Sequence, residues 1–154
     1  IIDQYKKSIN VEINNEESLL SRGKFYMEKH LEEFILSNWK ELDLSKKYDL
    51  IYKDGDMISQ QYRTDIGPID ILAIDRKTNS HVVIELKKNQ SSDKTVGQIA
   101  RYMGWIKENK NDNDVKGIII AADFTQKLKY ALSYVKNIEV FLYQVDFKLK
   151  EFKK

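Results

Sequence analysis

The sequence predicts an α/β domain in which helices flank a central mixed sheet. Three observations predict it. Apolar residues recur at helical spacing across residues 16–42. Two Ile- and Val-rich runs, 69–75 and 81–86, are separated by a short polar segment, as in a β-hairpin. A continuous apolar run over 115–121 then lies between two amphipathic stretches, which is the pattern of a strand buried on both faces. Helices that alternate with strands bury their apolar stripes most economically on the faces of a sheet.

The chain has 154 residues and is read as one domain with a real core. Its 42% hydrophobic and 32% charged content fits a globular protein and argues against disorder. No apolar run approaches the length of a membrane helix, so no membrane partner is expected. No signal-peptide pattern is visible, and the chain does not begin with Met. The absence of cysteine excludes disulfides, thiol nucleophiles and Cys-based zinc sites, and agrees with the expected cytoplasmic location. Net charge is +2, from 26 basic and 24 acidic side chains, which is not the balance of a dedicated nucleic-acid wrapper. The bases are clustered at Lys46 and Lys47, Lys87 and Lys88, Lys127 and Lys129, and from Lys148 to Lys154. Taken singly, each cluster reads as solvated surface.

In order, residues 1–15 form a lead-in in which Ile9, Val11 and Ile13 alternate with polar neighbours. Over 16–42, Leu19, Leu20, Met27, Leu31, Phe34, Ile35 and Leu42 make a helical stripe that Gly23 can divide. Glu28, Glu32 and Glu33 border this stripe and, read alone, are a solvated flank. Residues 43–50 read as a loop that can lead into a short strand, interrupted after Tyr52 by a turn over Lys53 to Asp56, and 57–64 as a strand. Gly67-Pro68 punctuates before the hairpin, where a missing N–H is tolerated. Residues 89–94 read as a polar loop, and Ser92 or Asp93 caps a helix over 94–107 with Ile99, Met103 and Ile106 inward. After the 115–121 strand, Asp123 or Thr125 begins a helix to about 136, followed by a strand over 138–145 and a basic extension over 146–154. The order is helix, three strands, helix, strand, helix, strand.

Into the apolar hairpin the sequence inserts Asp70, Glu85 and Lys87, charges that are costly to bury without partners. Side chains alternate along a strand, so Glu85 and Lys87 share one face while Ile84 and Leu86 take the other. With Ile74 opposite His81, Asp70 falls opposite Glu85, where Cβ atoms lie roughly 4.5–5.5 Å apart. Two facing carboxylates repel unless one is protonated or a cation sits between them. Oxygen ligands without Cys or paired His favour a hard cation, Mg²⁺ or Mn²⁺. A one-residue slip of register would separate these groups.

These residues resemble the bipartite motif of the PD-(D/E)XK nuclease superfamily: Asp70, then Glu85-Leu86-Lys87 on the next strand. The element order resembles that superfamily's restriction-endonuclease-like αβββαβ core. The nearer resemblance is to the nuclease domain of the mismatch-directed endonucleases called EndoMS or NucS. It is carried by LEEFILSN (31–38), YRTDIGPIDILAID (62–75), VVIELKK (82–88) and VGQIARYMGWI (96–106). A Glu-x-Lys triplet alone arises by chance; its hairpin spacing from Asp70 and the helix bearing Gln98 and Tyr102 make the joint signal strong. One departure is that Ile69 separates Pro68 from Asp70, at a position that varies in the superfamily.

The resemblance implies a metal-dependent DNA endonuclease with Mg²⁺ or Mn²⁺ as cofactor, acting in DNA repair or in restriction and defence. Asp70 and Glu85 are implied as metal ligands, with the Leu86 carbonyl as a further oxygen and Glu32 completing the site directly or through water; Glu28 and Glu33 are the weaker candidates for the helix acid. Lys87 is implied to orient the attacking water or to stabilise charge on the phosphoryl oxygens. Gln98 and Tyr102 are implied to support the site and touch the scissile strand. DNA is the implied partner, together with a homodimer mate or an additional specificity domain. The competing reading is a catalytically inactive nucleic-acid-binding or assembly module that keeps the fold.

Arg63, Lys88 and Arg101 are the remaining candidates for DNA contact, against the plainer role of surface charges. Trp39 and Trp105 are suited to base stacking, but core packing is the expected use. His30 and His81 read as structural, since four strand residues at about 3.3 Å each hold His81 away from Glu85. Asp65 and Asp75 read as turn residues. No phosphate-cradling Gly-rich motif and no nucleophile elbow is present.

Overall fold

A computed structural model describes residues 22, 26, 30–144, 146 and 148–153. The lead-in over 1–15 and most of residues 16–29, with Gly23 and Glu28, lie outside them. Helix α1 occupies residues 30–37 and runs into two 3₁₀ turns, Trp39–Glu41 and Asp43–Lys46. Strands β1 (Tyr48–Leu50), β2 (Tyr52–Lys53), β3 (Asp56–Met57), β4 (Gln60–Thr64), β5 (Gly67–Asp75) and β6 (His81–Ser91) follow. Then come α2 (Lys94–Lys110), β7 (Lys116–Phe124), α3 (Gln126–Tyr134) and β8 (Ile138–Leu142).

The main sheet has the order β1-β5-β6-β7-β8, and β4 pairs with β5 beyond the end of β1. The β4, β5 and β6 pairings are antiparallel, while β6, β7 and β8 run parallel. The sheet is therefore mixed, as predicted. Each parallel step is bridged by a helix, α2 and then α3, as a parallel crossover requires.

Alternation along the central strands divides the core in two. Ile71, Ala73, Val82, Ile84, Ile118 and Ile120 face α1 with Leu31, Ile35 and Trp39. Leu72, Val83, Ile119 and Ala121 face α2 and α3 with Ile99, Ile106 and Leu128. Burying both faces explains why β7 carries an unbroken IIIAA run. Gly117 lets α2 approach β7: a Cβ there would stand 2.8 Å from Met103 Sδ and 3.0 Å from Ile99 Cδ1.

Several boundaries differ from the sequence expectation. The polar stretch expected as a loop from 89 is strand as far as Ser91, because a bulge between Lys87 and Gln90 lets Gln90 and Ser91 resume pairing with Asp123 and Phe124. There the backbone ladder carries an exposed Gln90, while Ser91 is buried and donates its hydroxyl to Thr95 Oγ1 at 3.1 Å. The single strand expected over 57–64 is broken at Ser59, a fully buried residue whose hydroxyl accepts the Ile51 N–H at 2.7 Å. The 43–50 loop contains the second 3₁₀ turn, and the short strand it leads into is β1. Phe34, placed in the inner stripe by spacing, is exposed. The last strand ends at Leu142, and the described residues of the basic extension form no strand.

Candidate active site

The hairpin register is the one the sequence predicts: Ile74 pairs with His81, Ala73 with Val82 and Ile71 with Ile84. Continuing it puts Asp70 opposite Glu85 at the end of the β5–β6 ladder. Asp70 accepts the Leu86 backbone N–H on Oδ2 at 2.9 Å, a bond that ties its side chain to β6. Glu85 is 3% exposed. Burial, and then the charge of Asp70, pushes the Glu85 carboxyl up to about 7, while Lys87 pulls the other way. Leu86 packs on the α1 side, so Glu85 and Lys87 point together toward α2, as alternation requires.

Helix α2 supplies the next layer. Gln98 Oε1 accepts a hydrogen bond from Lys87 Nζ at 2.7 Å, which fixes the ammonium beside Glu85. One turn on, Tyr102 reaches the start of β5. Burial and the Glu85 and Asp70 carboxylates push its hydroxyl above the usual range, with Arg101 opposing, so this ring lies within electrostatic reach of the pair. Trp105 donates its indole N–H to the Asp65 carboxylate, clamping α2 to the β4–β5 turn. Gly67 closes the contact, with φ +126° and room for no Cβ: one would stand 2.7 Å from the Tyr102 hydroxyl. Gly67→Ala is expected to cost about 1–3 kcal/mol through backbone strain and the clash. It should lower the urea midpoint and move Tyr102 away from the carboxylates. Wild-type stability in this variant would refute the contact.

From the opposite face of the sheet α1 brings Glu32. Its carboxylate accepts from Gln61 Nε2 on both oxygens, at 2.9 and 3.0 Å, and the same amide nitrogen lies 3.3 Å from Asp70 Oδ1. Burial raises the Glu32 carboxyl, Gln61 lowers it, and Asp70 adds a further upward push. Glu33 is exposed and turns to His30; Glu28 lies outside the described residues. Sequence reasoning passed over Gln61, whose only signal was its place opposite Asp70 on the neighbouring strand.

The other candidates separate clearly. Arg63 is exposed on β4 opposite Pro68, and Lys88 is exposed on β6 beyond Lys87. Trp39 is core, with its indole N–H donated to the Tyr48 carbonyl at 3.2 Å. His81 is structural: its ring Nδ1 lies 2.7 Å from Asp112 Oδ2, and the same oxygen accepts its backbone N–H at 2.6 Å. Asp75 accepts the Lys77 and Thr78 N–H groups in the hairpin turn and pairs with Lys116 at 2.7 Å. An open pocket among Leu36, Trp39, Asp49, Tyr52 and Arg76 lies toward the other end of β5 and includes none of the site carboxylates.

The residues suit a hard divalent cation. Two carboxylates converge, one of them buried and unwilling to ionise alone, and every candidate ligand is oxygen. Among the described residues, however, no three His, Cys, Asp or Glu side chains stand close enough to hold an ion together. Glu32 joins Asp70 through Gln61 and not directly.

The family model described as the endonuclease NucS C-terminal domain matches residues 27–146. The chain belongs to that family. An endonuclease NucS of Methanocaldococcus jannaschii is 28% identical over 107 residues, covering 62% of this chain and 40% of its own length. That of Bifidobacterium adolescentis is 31% identical over 103 residues, covering 67% and 39%. That of Sulfolobus acidocaldarius is 28% identical over 130 residues, covering 82% and 46%. The NucS C-terminal domain in this chain thus spans less than half the length of the curated relatives it matches. The crystal structure of a repair endonuclease from Pyrococcus abyssi shares the fold at TM-score 0.60 and 24% identity, covering 76% of this chain and 46% of that one. An EndoMS–dsDNA complex does so at TM-score 0.58 and 21% identity, covering 82% and 46%. The expected restriction-endonuclease-like αβββαβ arrangement is therefore the fold of this NucS domain, with β1 and the β2–β3 hairpin added between α1 and β4.

Proposed function

We propose that this chain is the nuclease domain of a metal-dependent endonuclease that hydrolyses phosphodiester bonds in DNA during repair. The observation that carries the reading is the buried Glu85 carboxyl facing Asp70, beside a Lys87 ammonium locked by Gln98. Membership of the NucS family and the double-stranded DNA of the EndoMS complex support it.

In this reading Asp70 and Glu85 hold Mg²⁺ or Mn²⁺, with the Leu86 carbonyl and Glu32 completing the oxygen set. The bound cation would activate water and neutralise charge at the phosphoryl group. Asp70 is preorganised for this by the Leu86 N–H, which leaves its Oδ1 edge toward Gln61. Lys87 adds positive charge where the phosphoryl oxygens develop negative charge, and Gln98 keeps that ammonium from swinging away. Tyr102 borders the carboxylates from α2, and it and the neighbouring exposed Arg101 would supply a hydroxyl and a guanidinium to the scissile strand, while Arg63 and Lys88 would contact the flanking backbone. Preference for a DNA structure then comes from a specificity domain or from a homodimer mate.

The test is calorimetric titration with Mn²⁺ beside Asp70→Ala, together with nicking assays on single-stranded, branched and mismatched DNA. The expected outcome is binding heat and nicking that both vanish in the variant. Binding heat that persists without Asp70, or unchanged nicking, would overturn the assignment.

A further inference from the structure

We propose that Gln61 is the positioning residue that makes Glu32 part of the nuclease site, by bridging it to Asp70. The inference rests on the metal-dependent reading above and adds to it a residue that the sequence motif does not contain.

Two independent observations single out Gln61. The first is its backbone. Flanking pairs Gln60 with Ile71 and Tyr62 with Ile69 keep a constant register and put Gln61 opposite Asp70. Yet Gln61 has φ +47°. The other non-glycine residues with positive φ among the described residues are Asp54, Asn79, Asn111 and Asn137. All four stand outside the strands, and all are Asp or Asn, whose short polar side chains tolerate the left-handed region. Gln61 has no such excuse and sits inside β4. A left-handed residue within a strand breaks the alternation of faces, and strain of this kind persists where the surrounding structure uses it. On the opposing strand the same break appears at Asp70: Ile71 packs on the α1 side, whereas Ile69 packs on the α2 side.

The second observation is where the side chain goes. Its amide nitrogen meets Glu32 Oε1, Glu32 Oε2 and Asp70 Oδ1 at 2.9, 3.0 and 3.3 Å. Carboxylates on two different elements repel, and an NH₂ group with two N–H donors is a neutral bridge that holds them side by side. Helix α1 packs on the face opposite α2, so Glu32 must come around the sheet edge to reach Asp70. Even with the bridge in place, no three acidic groups among the described residues stand close enough to share one ion directly. The amide bridge is the direct hydrogen-bonded link between Glu32 and the hairpin. Gln61 therefore acts on the reaction through Glu32, by holding that carboxylate where it can support the cation through water.

The test is a double-mutant cycle read by Mn²⁺ calorimetry on the full chain, with Glu32→Ala, Gln61→Met and both together. Each single change is expected to weaken Mn²⁺ binding by about tenfold, the low end for loss of a group that supports a metal ligand. The pair together should lose about tenfold and no more, because the two residues act as one unit. Gln61→Gly separates this role from a merely structural one. It relaxes the left-handed backbone, so its urea midpoint should match or exceed that of the wild type, while its Mn²⁺ affinity falls as in Gln61→Met. Wild-type affinity in Gln61→Met, or losses that multiply to about a hundredfold in the double variant, would overturn the inference and leave the nuclease reading intact. Absence of Asp70-dependent heat in the wild type would instead overturn both.

Discussion

Glu85→Gln and Asp70→Asn should each lower phosphodiester cleavage by on the order of a thousandfold or more in saturating DNA with Mg²⁺ or Mn²⁺. Both replacements keep the shape of the side chain and remove its charge. Glu85 is fully enclosed and Asp70 already accepts the Leu86 N–H, so neither change should open a cavity or disturb the β5–β6 ladder. What each removes, in the proposed mechanism, is a negative oxygen that would bind the cation. The loss should therefore appear first as lost Mn²⁺ affinity in calorimetry, and rising metal concentration should restore part of the Asp70→Asn activity. A variant that binds Mn²⁺ normally and cleaves normally would remove these two residues from the mechanism.

The same Glu85→Gln chain should be the more stable protein in EDTA at pH 8. The Glu85 carboxyl titrates at about 7 in the folded chain, against a reference value of 4.5 that applies when the chain unfolds. Between these values the folded chain keeps a proton that the unfolded chain has released. Stability from the protonated form is complete below pH 4.5 and is lost as pH rises through 7, on the order of 3 kcal/mol in all. Glu32 is raised as well and adds to the same slope. Asp49 and Asp75, held low by Arg76 and Lys116, act in the opposite sense, but at pH values below their ordinary 3.8. Urea midpoints between pH 4.5 and 8 should thus fall for the wild type and fall much less for Glu85→Gln. Added Mn²⁺ should lift the wild type at pH 8 by mass action and leave the variant unmoved. Stability that climbs across this window would refute the burial argument. The trade is physical: the folded chain holds two acids together at a cost that a bound cation would relieve.

The sequence by itself determined the central hairpin and its chemistry. Period-two alternation fixed which residues of β6 share a face, the turn length fixed the register, and both follow from local backbone geometry. That is why the Asp70–Glu85 pairing, the shared orientation of Glu85 and Lys87, and the Gln98–Tyr102 spacing on α2 were legible in advance. The buried strand β7 was legible because burial on both faces leaves an unbroken apolar run. Polar strand residues were not legible. Gln90 and Ser91 pair through their backbone after a bulge, and a bulge leaves no periodic trace in side-chain polarity. Only the tertiary structure decided which acid of α1 comes near the hairpin. Spacing set Glu32 and Glu33 beside the same stripe; packing of Leu31 and Ile35 on the sheet turned Glu32 toward Asp70 and left Glu33 in solvent. Only the tertiary structure, too, put a left-handed Gln61 between the two carboxylates. Its conformation is imposed by neighbours on β5 and α1, and no propensity of glutamine announces it.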